Sequence, residues 1–170
     1  MAKFKVKNAR LSYPSLFQHG TYEGASTGKH ECTFILDKEE HADIIEALQS
    51  EISKLQKTMK RKAKNICLKD GDDDDKPEYA GKMTLKAATK KRPLVIDRDR
   101  TPLIEADDKP YAGCYVNAII GGLWCSEKYS PTIGANLDGV QFYADGEPFS
   151  AGGASADDFD AFDDDDDEDF

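Results

Sequence analysis

The sequence predicts a mainly β domain, a small antiparallel barrel or sandwich with one inserted amphipathic helix, followed by a disordered acidic tail. Three observations carry this. Five or six short segments alternate apolar and polar residues with the period of two that a pleated strand imposes. Only the segment after residue 37 has the three- and four-residue spacing of a helix. The strands are not separated by further helices, as a parallel α/β sheet would require. A chain of 170 residues suits one domain.

The elements follow in order. Residues 3–13, KFKVKNARLSY, begin with Lys3, Lys5 and Lys7 on one face and Phe4 and Val6 on the other. This is a half-buried strand with a basic face. Residues 14–29 contain Pro14, Gly20, Gly24 and Gly28 and read as a long loop. HECTFIL, residues 30–36, is a second strand with Cys32, Phe34 and Leu36 on one face. Asp37 is placed to cap the helix, with Glu40 at the return position of a capping box. Ile44, Ile45, Leu48, Ile52, Leu55 and Met59 form its apolar stripe. Its first turn is acidic (Glu39, Glu40) and its last turns are basic (Lys57, Lys60, Arg61, Lys62, Lys64), the order that the helix dipole favours. A loop, DGDDDDK, covers residues 70–76. Strands resume at 82–88 (KMTLKAA), 93–97 (PLVID), 112–120 (AGCYVNAII) and 138–143 (DGVQFY), and GGLWCSEKYSP, 121–131, reads as a turn plus a short strand.

The net charge of −10 is confined to one end. Residues 151–170 hold ten of the 33 acidic residues and no Lys or Arg, so residues 1–150 carry 23 acids against all 23 Lys and Arg. The body is formally neutral, and the tail carries the whole imbalance. Its acids repel one another, and Phe159, Phe162 and Phe170 bury too little surface to offset the entropy of ordering it. The expected division is therefore a domain over 1–150 and a disordered acidic tail over 151–170. The Gly152-Gly153 pair marks the hinge.

Most motifs fail on spacing. In GASTGKH, 24–30, only three residues separate Gly24 from Gly28, and His30 stands where a phosphate loop needs Ser or Thr. Counted from Asp70, an EF-hand would need Gly at Asp75 and Glu at Gly81. Cys32, Cys67, Cys114 and Cys125 lie far apart and form no zinc pattern with His19, His30 and His41. The histidines fall in loop-like or terminal positions. No catalytic constellation, metal site or cofactor is expected. The cysteines read as small buried residues of an intracellular protein with reduced thiols. MAKFKVKNAR is too charged for a signal peptide, and no long apolar run predicts a membrane span.

Positive evidence lies in lysines and aromatic residues on outward strand positions. Alternation puts Lys5 and Lys7 outward on the first strand, and Lys82, Thr84 and Lys86 outward on KMTLKAA, with Lys90, Lys91 and Arg92 extending the basic stretch. It puts Tyr115, Asn117 and Ile119 on one face and Cys114, Val116 and Ala118 on the other. Val140 and Phe142 face inward, Gln141 and Tyr143 outward. Trp124, Lys128 and Tyr129 follow nearby. Lys beside Tyr or Trp on a sheet face suits single-stranded nucleic acid, because the cations track phosphates and the rings stack on bases. The tail imitates a polyanion with stackable rings and can occupy such a groove until DNA displaces it. Phe159, Phe162, Asp166, Asp167, Glu168, Asp169 and Phe170 then become available to a partner's basic pocket.

ARLSYPSLF (9–17), YAGKMTLKA (79–87), PYAGCYVNAII (110–120) and LDGVQFYADGEPF (137–149) closely resemble the single-stranded DNA-binding proteins of tailed bacteriophages. The resemblance implies an OB-fold, a five-stranded antiparallel barrel. It implies coating of single-stranded DNA in replication and recombination without sequence preference, in the cytoplasm of an infected bacterial cell. It further implies a tail that competes with DNA and contacts replication proteins such as DNA polymerase or helicase. A homodimer stays open. The rival class is an acidic-tailed interaction protein or DNA mimic that binds basic proteins.

Overall fold

A computed structural model describes residues 3–19, 21–22, 25–26, 28–73 and 79–148. The hinge and the acidic tail expected from the sequence lie outside these residues. The strands are β1 (Phe4–Ser15), β2 (Thr21–Tyr22), β3 (Ala25–Ser26), β4 (His30–Asp37), β5 (Asn65–Ile66), β6 (Leu68–Asp70), β7 (Lys82–Thr89), β8 (Leu94–Ile96), β9 (Tyr115–Ser126) and β10 (Thr132–Ala144). The helix α1 (Ala42–Thr58) lies between β4 and β7.

The five long strands form a ring. Antiparallel pairs join β10 to β9, β9 to β1, β1 to β4 and β4 to β7. A parallel bridge between Asn136 and Ala88 joins β10 to β7 and completes it. An odd ring cannot alternate strand direction throughout, so one seam must be parallel. The expected barrel is thus present, with one seam that the antiparallel expectation did not include. Above and below that bridge, β5 and β8 also pair with β10 in parallel, so its edge is covered along most of its length.

The inward residues are those the alternation selects. Val6, Phe34, Leu36, Leu85, Val116, Ile120 and Val140 are almost wholly buried, each contributing roughly 1.5–3 kcal/mol of transfer free energy. Two bulges keep long strands in phase with this core. Phe4 and Val6 face inward at even positions, whereas Ala9 and Leu11 do so at odd ones. The switch falls at Asn8, whose φ of 55° lies in the left-handed region that Asn tolerates. On β9 the inward set changes from Val116, Ala118 and Ile120 to Leu123, and Gly122 takes a φ of 131° at the change. The Gly121-Gly122 pair is therefore a bulge inside one continuous strand, not the turn expected from the sequence. Residues 132–137, which carried no strand expectation, pair with the second half of β9.

Other local expectations shift. The helix starts at Ala42 with His41 in the cap position, not at Asp37. Asp37 Oδ1 instead accepts bonds from the Glu39 and Glu40 amides, both at 2.9 Å, closing a turn ahead of the helix. His41 fixes that turn. Its Nδ1 accepts from the Asp37 amide at 2.8 Å, so its Nε2–H donates to the Lys7 carbonyl at 2.7 Å. Asp43, rather than Glu39 and Glu40, lies in the first helical turn, and Lys57 alone of the basic set lies in the last. Arg61 binds across to Glu127 instead, its Nη2 donating to the Glu127 carbonyl at 2.7 Å. Ile45 and Leu48 are buried where α1 packs against β9, β1 and β10. His30 and His41 are buried, not loop-exposed, and residues 14–29 include the short β2–β3 hairpin.

Candidate nucleic-acid interface

A groove of about 810 Å³ crosses the outside of β4 and β7 and continues over β5, β6 and the paired ends of β9 and β10. Its walls include Thr33, Thr84, Lys86, Asn65, Lys69 and Trp124. Tyr13 and Lys29 also line it. Strand pairing explains the grouping. Lys86 stands opposite Thr33 on β4, and Thr84 stands between Ile35 on β4 and Lys69 on β6. Residues directly opposite across a ladder share a face, so Lys69 and Lys86 both project outward. Thr84, expected to be solvent-exposed, is buried by these neighbours.

Trp124 has a specific seat. It faces outward because Leu123 before it faces the core. A Cβ placed on Gly134, its partner on β10, would overlap the indole at Cζ2 and lie 2.5 Å and 2.9 Å from the adjacent Cε2 and Cη2. Contacts that short to three consecutive ring atoms put the Cβ above the ring plane; a point at the ring edge would be farther from the outer two. The indole thus lies face down on the glycine backbone, and Trp124 and Gly134 both line the groove. A ring so placed is a flat platform for a base.

The charge of Lys86 is weakly compensated. Lys86 Nζ is 3.9 Å from the Glu31 carboxylate and its side chain is 63% exposed, so the pair is worth little. Lys69 is exposed. Among the described residues, Glu31 is the one acidic residue lining the groove, with Lys29, Lys69 and Lys86. Two thiols, Cys32 and Cys67, line the inner wall. Burial pushes Cys67 up to about 11, and burial with the Glu31 charge pushes Cys32 far above the ordinary thiol range. Neither is a nucleophile at neutral pH. Among the described residues no cluster of three or more His, Cys, Asp or Glu could hold a metal ion.

The structure divides the residues selected from the sequence. Lys86 and Trp124 line the groove. Lys128 and Tyr129 sit in the β9–β10 loop beside it, where the Asn65 amide donates to Pro131 O at 3.2 Å. Tyr129 is 88% exposed, and the Lys128 ammonium lies 5.3 Å from its ring centroid. Lys90, Lys91 and Arg92 form the exposed β7–β8 turn just past Thr89, and Arg92 lies over the Phe17 ring at 5.3 Å. Lys82 is at the far end of β7, 2.7 Å from Asp37 Oδ2. Its hydrogen bond, then those of the Glu40 and Glu39 amides, hold the Asp37 carboxyl well below the usual range. Lys5, Lys7 and Asn117 line a second concavity that shares no residue with the groove. Tyr115, on the same stretch of β9 as Asn117, packs beside Gly146. The outward positions read from the sequence thus fall in two separate concavities. The tail residues Phe159, Phe162, Asp166, Asp167, Glu168, Asp169 and Phe170 lie outside the described residues.

Sequence reasoning passed over Tyr13, Lys29 and Lys69. Lys69 sits on a three-residue strand, too short for alternation to register. Lys29 lies in the segment rejected as a phosphate loop.

The fold defines the class: an OB-type barrel, in which the face of the second and third barrel strands and the two flanking loops are the usual oligonucleotide-binding surface. The chain belongs to the family of the Enterobacter phage Enc34 ssDNA-binding protein, whose family model matches residues 2–170. That family is described by DNA binding, not by a reaction. The chain is 36% identical over 172 residues to protein p50 of Acyrthosiphon pisum secondary endosymbiont phage 1, covering 93% of this chain and 92% of that one. It is similar to the single-stranded DNA-binding protein of bacteriophage Enc34 solved in complex with ssDNA, with 33% identity, TM-score 0.78, and 87% and 89% of the two chains covered. A C-terminal truncation of the same Enc34 protein matches with 33% identity and TM-score 0.77 over 86% and 88%. Gp2.5 of bacteriophage T7, at 8% identity and TM-score 0.54 over 91% and 98%, shares the fold alone. The resemblance read from the sequence holds over nearly the whole chain.

Proposed function

We propose that this protein binds single-stranded DNA without sequence preference, in the groove floored by Trp124. One base stacks on the exposed indole face, while Lys69, Lys86 and Lys29 neutralise phosphates. Lys128 and Tyr129 close on the strand from the β9–β10 loop, and Lys90, Lys91 and Arg92 extend the charged track. The observation that carries this reading is the indole laid flat on Gly134 in a groove whose described lining includes Lys29, Lys69 and Lys86. Membership of a family named for ssDNA binding supports it.

The wider role follows from the same reading. The protein coats DNA strands during phage replication and recombination in the cytoplasm of the infected cell. No helix among the described residues is long and apolar enough to cross a membrane. The acidic tail competes for the groove at an effective concentration of order millimolar. Once DNA displaces it, replication proteins can be engaged through Phe170 and the carboxylates before it.

A gel shift with single- and double-stranded oligonucleotides at two salt concentrations, with and without residues 151–170, tests this. We expect salt-sensitive binding to single strands that tightens at low salt when the tail is removed. Binding that disappears with the tail would instead mark an acidic-tailed interaction protein.

A further inference from the structure

The second concavity, about 290 Å³, is built by the outer faces of β1, β9, β10 and β8. It exists because β8 is laid along β10, pairing Leu94–Ile96 with Gly139–Gln141. Gly139 permits this close approach, since a Cβ there would stand 3.3 Å from Leu94 O. Its surface combines an aliphatic patch with two cations. Leu94 is 60% exposed, and Ile96 and Ile119 are only partly covered. Beside this aliphatic patch Lys5 and Lys7 are exposed, with no ion-pair partner among the described residues. The acids closest in sequence to the walls are engaged elsewhere: Asp138 by Lys3 at 3.6 Å, and Asp97 by Lys109 at 3.3 Å.

An apolar floor with uncompensated cations at its rim calls for an acidic segment carrying aromatic rings, and this chain has one. Residues 156–170 hold Phe159, Phe162 and Phe170 among ten acids. The described chain also ends near the concavity. Gly146 packs on Gly113 and beside the Tyr115 ring. Tyr115 is two residues, roughly 7 Å, from Asn117 on the concavity wall, but nine residues, roughly 30 Å, from Trp124. Phe159 follows Pro148 by eleven residues, a span of up to roughly 38 Å when extended.

We infer that this concavity is a seat for the chain's own C-terminal segment. A phenylalanine ring rests on Leu94, Ile96 and Ile119, and the flanking carboxylates face Lys5 and Lys7. The inference rests on the proposed DNA reading in one respect: the seat shares no residue with the groove, so it stays open when DNA fills the groove. The displaced tail then has a defined place on its own barrel. At a tethered concentration of order millimolar, an intrinsic affinity equally weak half-fills the seat.

The test uses the full chain with Phe162 replaced by the photo-crosslinker p-benzoylphenylalanine, irradiated with and without saturating single-stranded oligonucleotide. Crosslinked peptides are mapped by mass spectrometry on mixed light and heavy isotope copies. We expect light-to-light crosslinks to the segments around Leu94–Ile96 and Asn117–Ile119, enriched several-fold by DNA and reduced several-fold by the pair K5E and K7E. Crosslinks confined to the groove segments in every condition, or predominantly light-to-heavy products, would overturn the inference. A gel shift on the same samples separates the two readings. If no oligonucleotide binds but the DNA-free sample crosslinks to this seat, the DNA reading fails and the seat stands. If the oligonucleotide binds and the seat is never crosslinked, the seat fails and the DNA reading stands.

Discussion

Replacing Gly134 with valine perturbs the groove at a residue that has no side chain to contribute. Gly134 has ordinary strand backbone, with no positive φ, so a β-branched residue costs no backbone strain there. Strand preference favours it, on a scale spanning about 1 kcal/mol. The backbone preference thus offsets part of the packing lost when the indole moves, and the fold should hold. The new Cβ occupies the space of the indole at Cζ2, so the ring must leave its seat. One base loses its platform, which is worth about 1–3 kcal/mol, or roughly 5- to 150-fold in Kd. W124A removes the same platform directly. The two changes act on one contact, so their double variant should be no worse than the weaker single one. Anisotropy of a labelled oligonucleotide gives Kd for all four proteins. The chain has a single tryptophan, so intrinsic emission reports this ring alone: quenching by oligonucleotide should be strong in the unmodified protein and weak in G134V. Binding of G134V within about twofold of the unmodified protein, or fully additive losses in the double variant, would refute the platform.

Three further outcomes are expected. K86A should weaken single-strand binding and make the dependence of log K on log salt shallower by about 0.7, with little change in Tm, because its contact with Glu31 is long and exposed; duplicate titrations at four salt concentrations measure the slope. Asp37 has its carboxyl held below its ordinary value by Lys82 and two amides; a depressed folded pKa adds stability that is fully present above the unfolded value near 4 and is lost as pH falls toward the folded one. D37N should thus lower Tm at pH 7, with a gap that begins to narrow only below about pH 4 and shrinks further as pH falls toward the folded pKa, which thermal scans at pH 7, 4 and 2.5 would show. Phe34 is fully buried at the centre of the barrel, and F34A should cost about 3–5 kcal/mol by urea denaturation.

Much of the fold was legible because strand pleating is a local property. The alternation of Lys5 and Lys7 with Phe4 and Val6, and of Tyr115 and Asn117 with Val116 and Ala118, separates inside from outside correctly. The parity change from Val6 to Ala9 appears only in the structure, as the bulge at Asn8. The misreading of Gly121-Gly122 has the same origin. A glycine pair can end a strand or bulge one, and only the facing residues Ala135 and Leu137 settle which. Helix capping at Asp37 failed for a related reason: its side chain satisfies the capping geometry, but one turn too early, and His41 with Lys7 O draws the helix start onward.

The sequence by itself determined most core-facing positions of the strands it marked, that the body is neutral, that the charge lies in the last twenty residues, and the family to which the chain belongs. It could not say which outward residues are neighbours. Outward on a barrel is a different direction on every strand, and the strands that meet are set by closure between segments far apart in the chain. Closure put Lys69, Lys86 and Trp124 around one groove and left Lys5, Lys7 and Asn117 on another side. It also gave Gly134 its part: a missing side chain has no signature in a sequence until the residue stacked upon it is known.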